Sequence, residues 1–547
     1  RILRLSGIWA PGSGAPRPGG EVFIVYGDEL PYLPVGHRAG MRVARQGAFL
    51  SPPDDDDDDE AVWIVETVPE GVEAWSALPT HLTPGSPPKP GALVQAIEDW
   101  GQSVALAAPT WPGDAMSSLL LRRPAHADSN GQLGALEPMR NADDGVRAVV
   151  ASLVTMTAGH LAVQGPPGTG KTYLAAHVIA ELVSVHGWSI GVTAQSHAVV
   201  EHVLDAIVLE GGPDPDLVGK APPSDRDAGY YDASPFTGLR GANPQAAFAA
   251  QRASRGYVIG GTAWDFANRR RVGVGQLDLL VVEEAGQFSL ANTIAASLAA
   301  SRILLLGDPQ QLPQVSQGVH PAPVDGSALG HLIGEHAVLP AEYGYFLEES
   351  RRMDAAVAEP VSRLAYDGQL RAHPSTRGRV LAGVDAGLLP VPLRHHGNST
   401  SSPEEAEAVV ALVRDHLGLA WTGSPGGVSR PIGQGDLIVV TPYNAQVALV
   451  REHLDAAGLG DVEVGTVDRF QGREAVIAIV SLAASSAAEV PRGLDFLLSR
   501  NRLNVSVSRA KWAAYLIHSP ALMDALPIRE DELATVSRFI TLVEGGR

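Results

Sequence analysis

The eight residues Gly165 to Thr172, GPPGTGKT, constrain this chain more than any other feature. A glycine, four residues, a second glycine, a lysine and a hydroxyl residue form the pattern of a phosphate loop. The flanks agree with it. HLAVQ before the loop reads as a buried strand. After it, Leu174, Val178, Ile179 and Leu182 fall on one helical face, and Gly187 is placed to end that helix. In such a strand–loop–helix unit the loop residues Gly165, Pro166, Pro167, Gly168, Thr169 and Gly170 are expected to bind the nucleotide, the glycines letting backbone N–H groups converge on phosphate oxygens at a helix N-terminus. Lys171 is expected to reach the β- and γ-phosphates, and Thr172 to hold Mg²⁺.

A phosphate loop needs a carboxylate from a neighbouring strand. LDLLVVEEAGQ at 277–287 is an apolar run that ends in Glu283 and Glu284. Standing alone, two glutamates at a strand end are ordinary solvated surface. Following a phosphate loop, one reads as the metal ligand and the next as the group that positions or deprotonates an attacking water.

Around these two motifs the chain is organised for more than one core, since 547 residues exceed what a single core usually supports. Residues 1–130 are rich in Pro and Gly, with strand-like runs at Val22–Tyr26 and Ala61–Val65, and predict a small β-rich module. The acidic run from Asp54 to Asp59, with Glu60, predicts a solvated loop between two such strands. From about residue 140, apolar strands at 160–164, 189–194, 277–283, 302–307, 436–441, 475–482 and 513–517 alternate with helical patterns, which argues for parallel α/β layers. Residues 212–250 and 385–435 break that rhythm and predict a loop-like insertion and a loop-rich connection.

Composition excludes some classes. There is no cysteine, hence no disulfide and no thiolate metal site. No apolar run approaches the length of a membrane span, and no signal segment follows Arg1; a cytoplasmic chain, trimmed or part of a longer protein, is the expectation. The net charge of −20 speaks only weakly against nucleic acid, because single strands are gripped in a narrow groove and by base stacking. Arginine far outnumbers lysine, which occurs only as Lys89, Lys171, Lys220 and Lys511; with abundant Ala, Gly and Pro this points to a GC-rich bacterial source.

Further motifs follow in order: ILLLGDPQQLPQV at 303–315, ESRRMD at 349–354, LAYDGQL at 364–370, VVTPYNAQV at 439–447, VGTVDRFQGREAVI at 464–477 and NRLNVSVSRAK at 501–511. Over roughly residues 150–520 this series resembles superfamily 1 helicases, in the branch typified by the RNA-surveillance helicase and its bacterial relatives. The wording TAQSHAVVEHVL, EEAGQFSLAN and GDPQQLPQ looks closest to bacterial proteins in which such a helicase is joined to an upstream RecB-like nuclease. The resemblance implies an α/β fold: two tandem RecA-like parallel-sheet domains, at 131–335 (with the insertion near 212–250) and 336–547, preceded by the small β-rich module at 1–130. It implies ATP and Mg²⁺ in the cleft between them, with Glu283 on the metal and Glu284 catalytic. Arg352 and Arg509 match the arginine fingers, Gln311 the glutamine that senses the γ-phosphate, Gln287 the one coupling the acidic motif to the second domain, and Glu474 a nucleotide-binding glutamate. Ser196, His197, Thr262 and Thr466 lie in segments that touch the strand backbone in the family, where hydroxyls suit phosphate contacts; Ser196 suits equally well the role of N-cap to a helix at 197–209.

Three departures stand out. Glu283 occupies the position where the family usually has Asp, and Mg²⁺ is demanding about geometry. No Gln occurs between Leu133 and Val163 to read adenine. Arg351 stands where an aromatic residue often packs on the base, and offers only a cation–π contact. Trp264 and Tyr230–Tyr231 are candidate stacking residues, although single aromatics more often pack in cores or loops. None of the four lysines has an acidic residue two positions before it, so a nuclease of the Glu-X-Lys or Asp-X-Lys type is expected only upstream of Arg1. The expected function is an ATP-dependent helicase or translocase, 5′ to 3′ on single-stranded nucleic acid, with DNA favoured over RNA. The alternative is an NTP-binding clamp or remodelling module with weak hydrolysis and no unwinding.

Overall fold

The computed structural model describes residues 1–6, 19–27, 42–51, 61–68, 70–73, 75–84, 90–125, 136–223, 226, 229–314, 320–324, 326–527 and 529–545. The acidic run at 54–60 lies outside them. The chain divides into two compact units, residues 1–89 with 443–449, and residues 90–442 with 450–547.

In the first unit, strands Ile2–Ser6, Glu21–Tyr26, Val43–Leu50, Ala61–Glu66 and His81–Pro84 form one antiparallel sheet in the spatial order first, fourth, third, second, fifth. The period-2 pattern decides which face is buried: Val22, Ile24 and Tyr26 of the second strand point inward, joined by Val43, Ile64 and Trp75. Gly47 is required by close approach, since a Cβ there would stand 2.6 Å from Ile24 Cδ1 and 2.8 Å from the Val65 carbonyl oxygen. Glu66, buried at the sheet's end, accepts hydrogen bonds from Arg1 Nε (2.9 Å) and Tyr26 Oη (2.7 Å).

The second unit carries two parallel sheets. The first has eight strands, in the order Gly344–Phe346, Gly159–Gln164, Arg302–Gly307, Leu279–Val282, Ser189–Thr193, Tyr257–Gly261, Val218–Lys220 and Thr237–Gly238. The second has five, in the order Gly387–Pro392, Ala510–His518, Ala475–Ser481, Leu437–Thr441 and Glu463–Thr466. Central strands such as Gly159–Gln164 and Ala475–Ser481 are buried along their whole length, as helices on both faces of a parallel sheet require. The apolar runs picked out in the sequence are the strands of these two sheets, so the α/β fold with two RecA-like parallel-sheet domains and a β-rich module is what the chain adopts.

Four segments differ from the sequence expectation. Residues 212–250 are not simply loop: Val218–Lys220 and Thr237–Gly238 extend the edge of the first sheet, and helix Pro244–Gln251 follows. Strands this short carry almost no periodicity, so their pairing is set by the neighbouring strand. Residues 385–435 hold Gly387–Pro392, paired in parallel with Ala510–His518, and helix Pro403–His416. The two prolines place that strand at an edge, where a missing N–H is tolerated; the helix has a legible start, Ser402 as N-cap, Pro403 in the first turn, then Glu404 and Glu405. Finally, residues within the module expected at 1–130 form helices Ala92–Ala107 and Ala115–Leu120, whose Leu93, Trp100, Met116 and Leu119 share a core with Ile303 and Leu305 of the first parallel sheet. Likewise Gly344–Phe346, beyond residue 335, completes that sheet beside the phosphate-loop strand.

The phosphate-loop strand contains an acid-sensitive residue. His160 is fully buried, and neither ring nitrogen finds a hydrogen-bond partner. Burial, with a smaller contribution from His331, pulls its pKa from 6.5 down to about 3. The unfolded chain therefore takes up the proton first: the stability this neutral ring allows is complete above pH 6.5 and is lost as pH falls toward 3. Between pH 7 and pH 5 the wild type should lose about 2 kcal/mol more unfolding free energy than His160→Leu, measured by urea titration. Equal losses in the two proteins would remove His160 as the cause.

Candidate nucleotide cleft

Strand Gly159–Gln164 delivers the chain to the phosphate loop at the C-terminal edge of the first sheet, and helix Lys171–Ser184 leaves it. Gly168 (φ +75°) and Gly170 (φ +84°) take left-handed conformations that curl the loop over the helix N-terminus. The loop is closed on itself. Lys171 Nζ donates to the Gly165 carbonyl at 2.6 Å, and Thr169 Oγ1 to the Pro166 carbonyl at 2.9 Å. The Lys171 ammonium thus rests on a backbone oxygen where a triphosphate would offer stronger, charged acceptors.

Glu283 and Glu284 follow strand Leu279–Val282, two strands away in the sheet. Glu283 is buried and its Oε2 has no hydrogen-bond partner. Burial, then the neighbouring Glu284 charge, pushes its carboxyl up to about 8, while Lys171 opposes the shift. Such an orphaned buried oxygen fits a divalent cation, which would supply the charge that the site lacks. Glu284 sits at φ 51°, a left-handed conformation that non-glycine residues rarely adopt and that the surrounding structure has to enforce. Both glutamates line the same cavity as the phosphate loop and Thr172.

Across that cavity stand residues of the second parallel sheet's domain. Arg509 is fully buried; its Nε donates to the Val505 carbonyl (2.8 Å) and its Nη1 to the carbonyls of Phe470 and Arg473 (3.1 Å each). Burial, and next the like charge of Arg352, pulls its pKa down to about 9. A guanidinium held only by neutral carbonyls and a hydroxyl has unspent capacity for an anion. Arg352 donates from Nε to Glu474 (2.8 Å) and from Nη1 to the Ser508 carbonyl (3.1 Å). Its segment lies directly on the phosphate loop: Arg351 N donates to the Gly168 carbonyl (2.8 Å), Ser350 Oγ to that of Pro167 (2.8 Å), and a Cβ on Gly168 would meet Arg352 Cβ at 2.4 Å. The Gly168 position therefore admits only glycine for two reasons, φ and contact.

The open cleft measures about 710 Å³. It brings together the phosphate loop, Glu283, Glu284, Gln287, Gln311, Arg352 and Arg509. Gln287 reaches across it, Nε2 donating to Gln471 Oε1 at 2.8 Å. Gln311 donates to Asp308 at 3.0 Å. Glu474 does not line it; this carboxylate is shared between Arg352 and Lys511 (2.8 Å), which hold its pKa low against burial. Ser196, exposed at the start of helix His197–Ala206, does line it, and its hydroxyl caps the Val199 N–H (3.3 Å). The other strand-contact candidates lie outside the cavity. His197 Nδ1 meets buried Lys220 at 2.8 Å, Thr262 forms a capping box with Asp265 (3.0 Å), and Thr466 ends the last strand of the second sheet. Of the stacking candidates, Trp264 and Tyr230 are exposed, whereas Tyr231 is buried against Lys220 and Glu201. Arg351 is paired with Asp143.

Four residues escaped the sequence reading. Asp308 is fixed by Tyr366 Oη (2.6 Å), Tyr366 in turn by Asn504 (2.9 Å), and Asn504 and Asn501 donate to the carbonyls of Gln310 and Pro309 (2.8 and 2.9 Å). Together they strap the Gln311 loop to the second domain. All four stood inside motifs already singled out, but their pairing spans up to 194 residues and has no local signature. Among the described residues no cluster of three or more His, Asp or Glu suits a metal, and no helix is long and apolar enough to cross a membrane.

Comparison with known proteins agrees with this architecture. Residues 141–328 and 325–520 each match a family model described as an AAA domain. The hamster (Mesocricetus auratus) DNA-binding protein SMUBP-2 is 30% identical over 255 residues, 43% of this chain and 24% of that protein. The fission-yeast (Schizosaccharomyces pombe) DNA polymerase alpha-associated DNA helicase A is 26% identical over 403 residues, 64% of this chain and 59% of that one. The mouse (Mus musculus) DNA replication ATP-dependent helicase/nuclease DNA2 is 24% identical over 404 residues, 68% of this chain and 37% of that one. This chain thus spans less than two thirds of each relative's length, and the similarity is to helicases, across both parallel-sheet domains.

Proposed function

We propose that this chain, helicase-like in both its parallel-sheet domains, is an ATP-driven motor that moves 5′ to 3′ along single-stranded nucleic acid, DNA in preference to RNA. One observation carries the reading: a single cavity gathers phosphate-binding and acidic groups from one sheet's domain and Arg352, Arg509 and Gln471 from the other's. Closing and opening that cleft with the nucleotide cycle moves one domain against the other, which is what translocation needs.

In this reading the phosphate loop and Lys171 bind the triphosphate, and Thr172 and Glu283 hold Mg²⁺, which neutralises charge on the β- and γ-phosphates. Glu284 orients and deprotonates water, Gln311 reports the γ-phosphate to the loop strapped by Asn501 and Asn504, and the two arginines stabilise charge on the transferred phosphoryl. Arg352 does so after exchanging Glu474 for phosphate; Glu474 then faces the nucleotide. Ser196, His197, Thr262 and Thr466 take the strand backbone. A bacterial cytoplasmic setting and a RecB-like nuclease upstream in the same polypeptide complete the proposal; the mouse relative's name couples the same two activities. Strand displacement on 5′- and 3′-tailed duplexes tests it: unwinding of the 5′-tailed substrate is the expected result, and confirmed binding without unwinding of either sinks it.

A second reading, an NTP-dependent clamp with weak turnover, draws on Glu283 standing in place of the family's aspartate, since its extra methylene displaces the carboxylate that would hold a geometrically demanding Mg²⁺. Under the motor reading, Glu283→Asp changes strand-stimulated kcat by less than about threefold; a gain of tenfold or more, about 1.4 kcal/mol of barrier, would favour the clamp.

A further inference from the structure

Away from the nucleotide cleft, helices Ala355–Ala365, Arg500–Val507 and Glu530–Gly545 line an open cavity of about 310 Å³. Its wall carries three arginines, Arg363, Arg500 and Arg538, against one carboxylate, Asp367. In a chain of net charge −20 that is a local reversal of sign. Arg363 has a partner, Glu359 at 3.2 Å on its own helix. Among the described residues, Arg500 and Arg538 make no ion pair or hydrogen bond through their guanidinium groups. Arg500 is half-buried, and burial together with the like charge of Arg538 holds its pKa below the ordinary value. Arg500 is also the first residue of its helix, where the dipole favours an anion. Ser537 and Thr541 add hydroxyls to the wall.

The guanidiniums of Arg500, half-buried, and Arg538, exposed, face one cavity with no hydrogen-bonded carboxylate among the described residues, and the attraction of Asp367 and Asp308 for Arg500 only partly offsets burial and their mutual repulsion. An oxyanion with several oxygens relieves both, because the planar fork of each arginine matches two oxygens at once. With Arg363 paired to Glu359, the one lining carboxylate, Asp367, stands against the two remaining cations.

We propose that this cavity binds a phosphoryl group, held by Arg500 and Arg538 with Arg363 at its edge, separately from the nucleotide cleft. The phosphoryl belongs either to a free polyphosphate compound or to the backbone of a nucleic-acid strand; the recognising chemistry is the same. Its position gives it a route to the cleft. The helix that begins at Arg500 carries Asn501 and Asn504, bonded to the carbonyls of Pro309 and Gln310, and is followed by Arg509.

Binding is measured directly, so the test does not depend on the motor reading. The full chain carrying Lys171→Ala, which disables the phosphate loop, is titrated with inorganic tripolyphosphate by calorimetry and with a fluorescein-labelled dT20 by anisotropy. Arg500→Gln and Arg538→Gln are each expected to weaken binding by about tenfold, the effect of one charge-assisted contact. Arg255→Gln, an exposed arginine outside this wall, controls for bulk charge and should have little effect. Loss confined to tripolyphosphate assigns the free compound; loss confined to dT20 assigns the strand; loss with both assigns a site open to either. The proposal is overturned if neither probe binds, if both bind all variants equally, or if Arg255→Gln matches the other two. Arg538 is exposed, so its variant keeps the test decisive should Arg500→Gln fail to fold.

Discussion

Arg509→Lys should lower strand-stimulated ATP hydrolysis by about 10³-fold or more, the scale of an arginine finger. The expectation comes from what the guanidinium already does. It is fully buried and held by the carbonyls of Val505, Phe470 and Arg473, which aim it while leaving its charge uncompensated. A charge kept out of water with no carboxylate in hydrogen-bond contact is expensive; burial, and next the charge of Arg352, draws its pKa down to about 9 despite the more distant Glu284 and Glu474. In the proposed motor, the expense is recovered when phosphoryl charge develops in the same cavity. Lysine keeps the charge but not the fork, so it cannot hold the carbonyls and reach the phosphoryl together. Steady-state kcat is the readout, with thermal melting as a check on folding. A variant that melts like the wild type and hydrolyses within tenfold of it would remove Arg509 from the mechanism.

Glu284→Gln should lower kcat by about 10²–10⁴-fold and leave ATP affinity unchanged, the range typical of a lost general base. Glutamine preserves the size of the side chain and its place on the cavity wall, and loses only the capacity to take a proton. The left-handed backbone at Glu284 supports a functional reason for the residue, since glycine would occupy φ 51° without strain. Single-turnover hydrolysis together with equilibrium binding of a fluorescent ATP analogue separates the two effects. Weakened binding with unchanged single-turnover rate would assign Glu284 to nucleotide or metal binding instead.

Much of the fold was legible because its signals are local. The phosphate loop announces itself through glycine, lysine and threonine in eight consecutive residues, with a buried strand before it and an amphipathic helix after it. The acidic strand end at Glu283 and Glu284 is equally local. Buried parallel strands are runs of branched apolar residues, and these mark the central strands except Tyr257–Gly261, an interior strand whose apolar run of three ends in two glycines and went unread. Segments that failed to announce themselves are short or at edges. Val218–Lys220 has three residues, and Gly387–Pro392 contains two prolines; each is a strand only because a neighbour offers it hydrogen bonds.

The candidate site divides along the same line. Sequence by itself determined which side chains are present and put Lys171, Thr172, Glu283 and Glu284 at the ends of apolar strands, while Arg352 and Arg509 were picked out by their motifs alone. Only tertiary structure decided their partners. It placed Glu474 between Arg352 and Lys511 rather than on the cavity wall, set Ser196 on that wall, and tied the Gln311 loop down through Tyr366, Asn501 and Asn504. The physical reason is that a motif fixes backbone conformation over a few residues, whereas a hydrogen bond between residues more than a hundred positions apart depends on two domains closing on each other, and no local pattern encodes that distance.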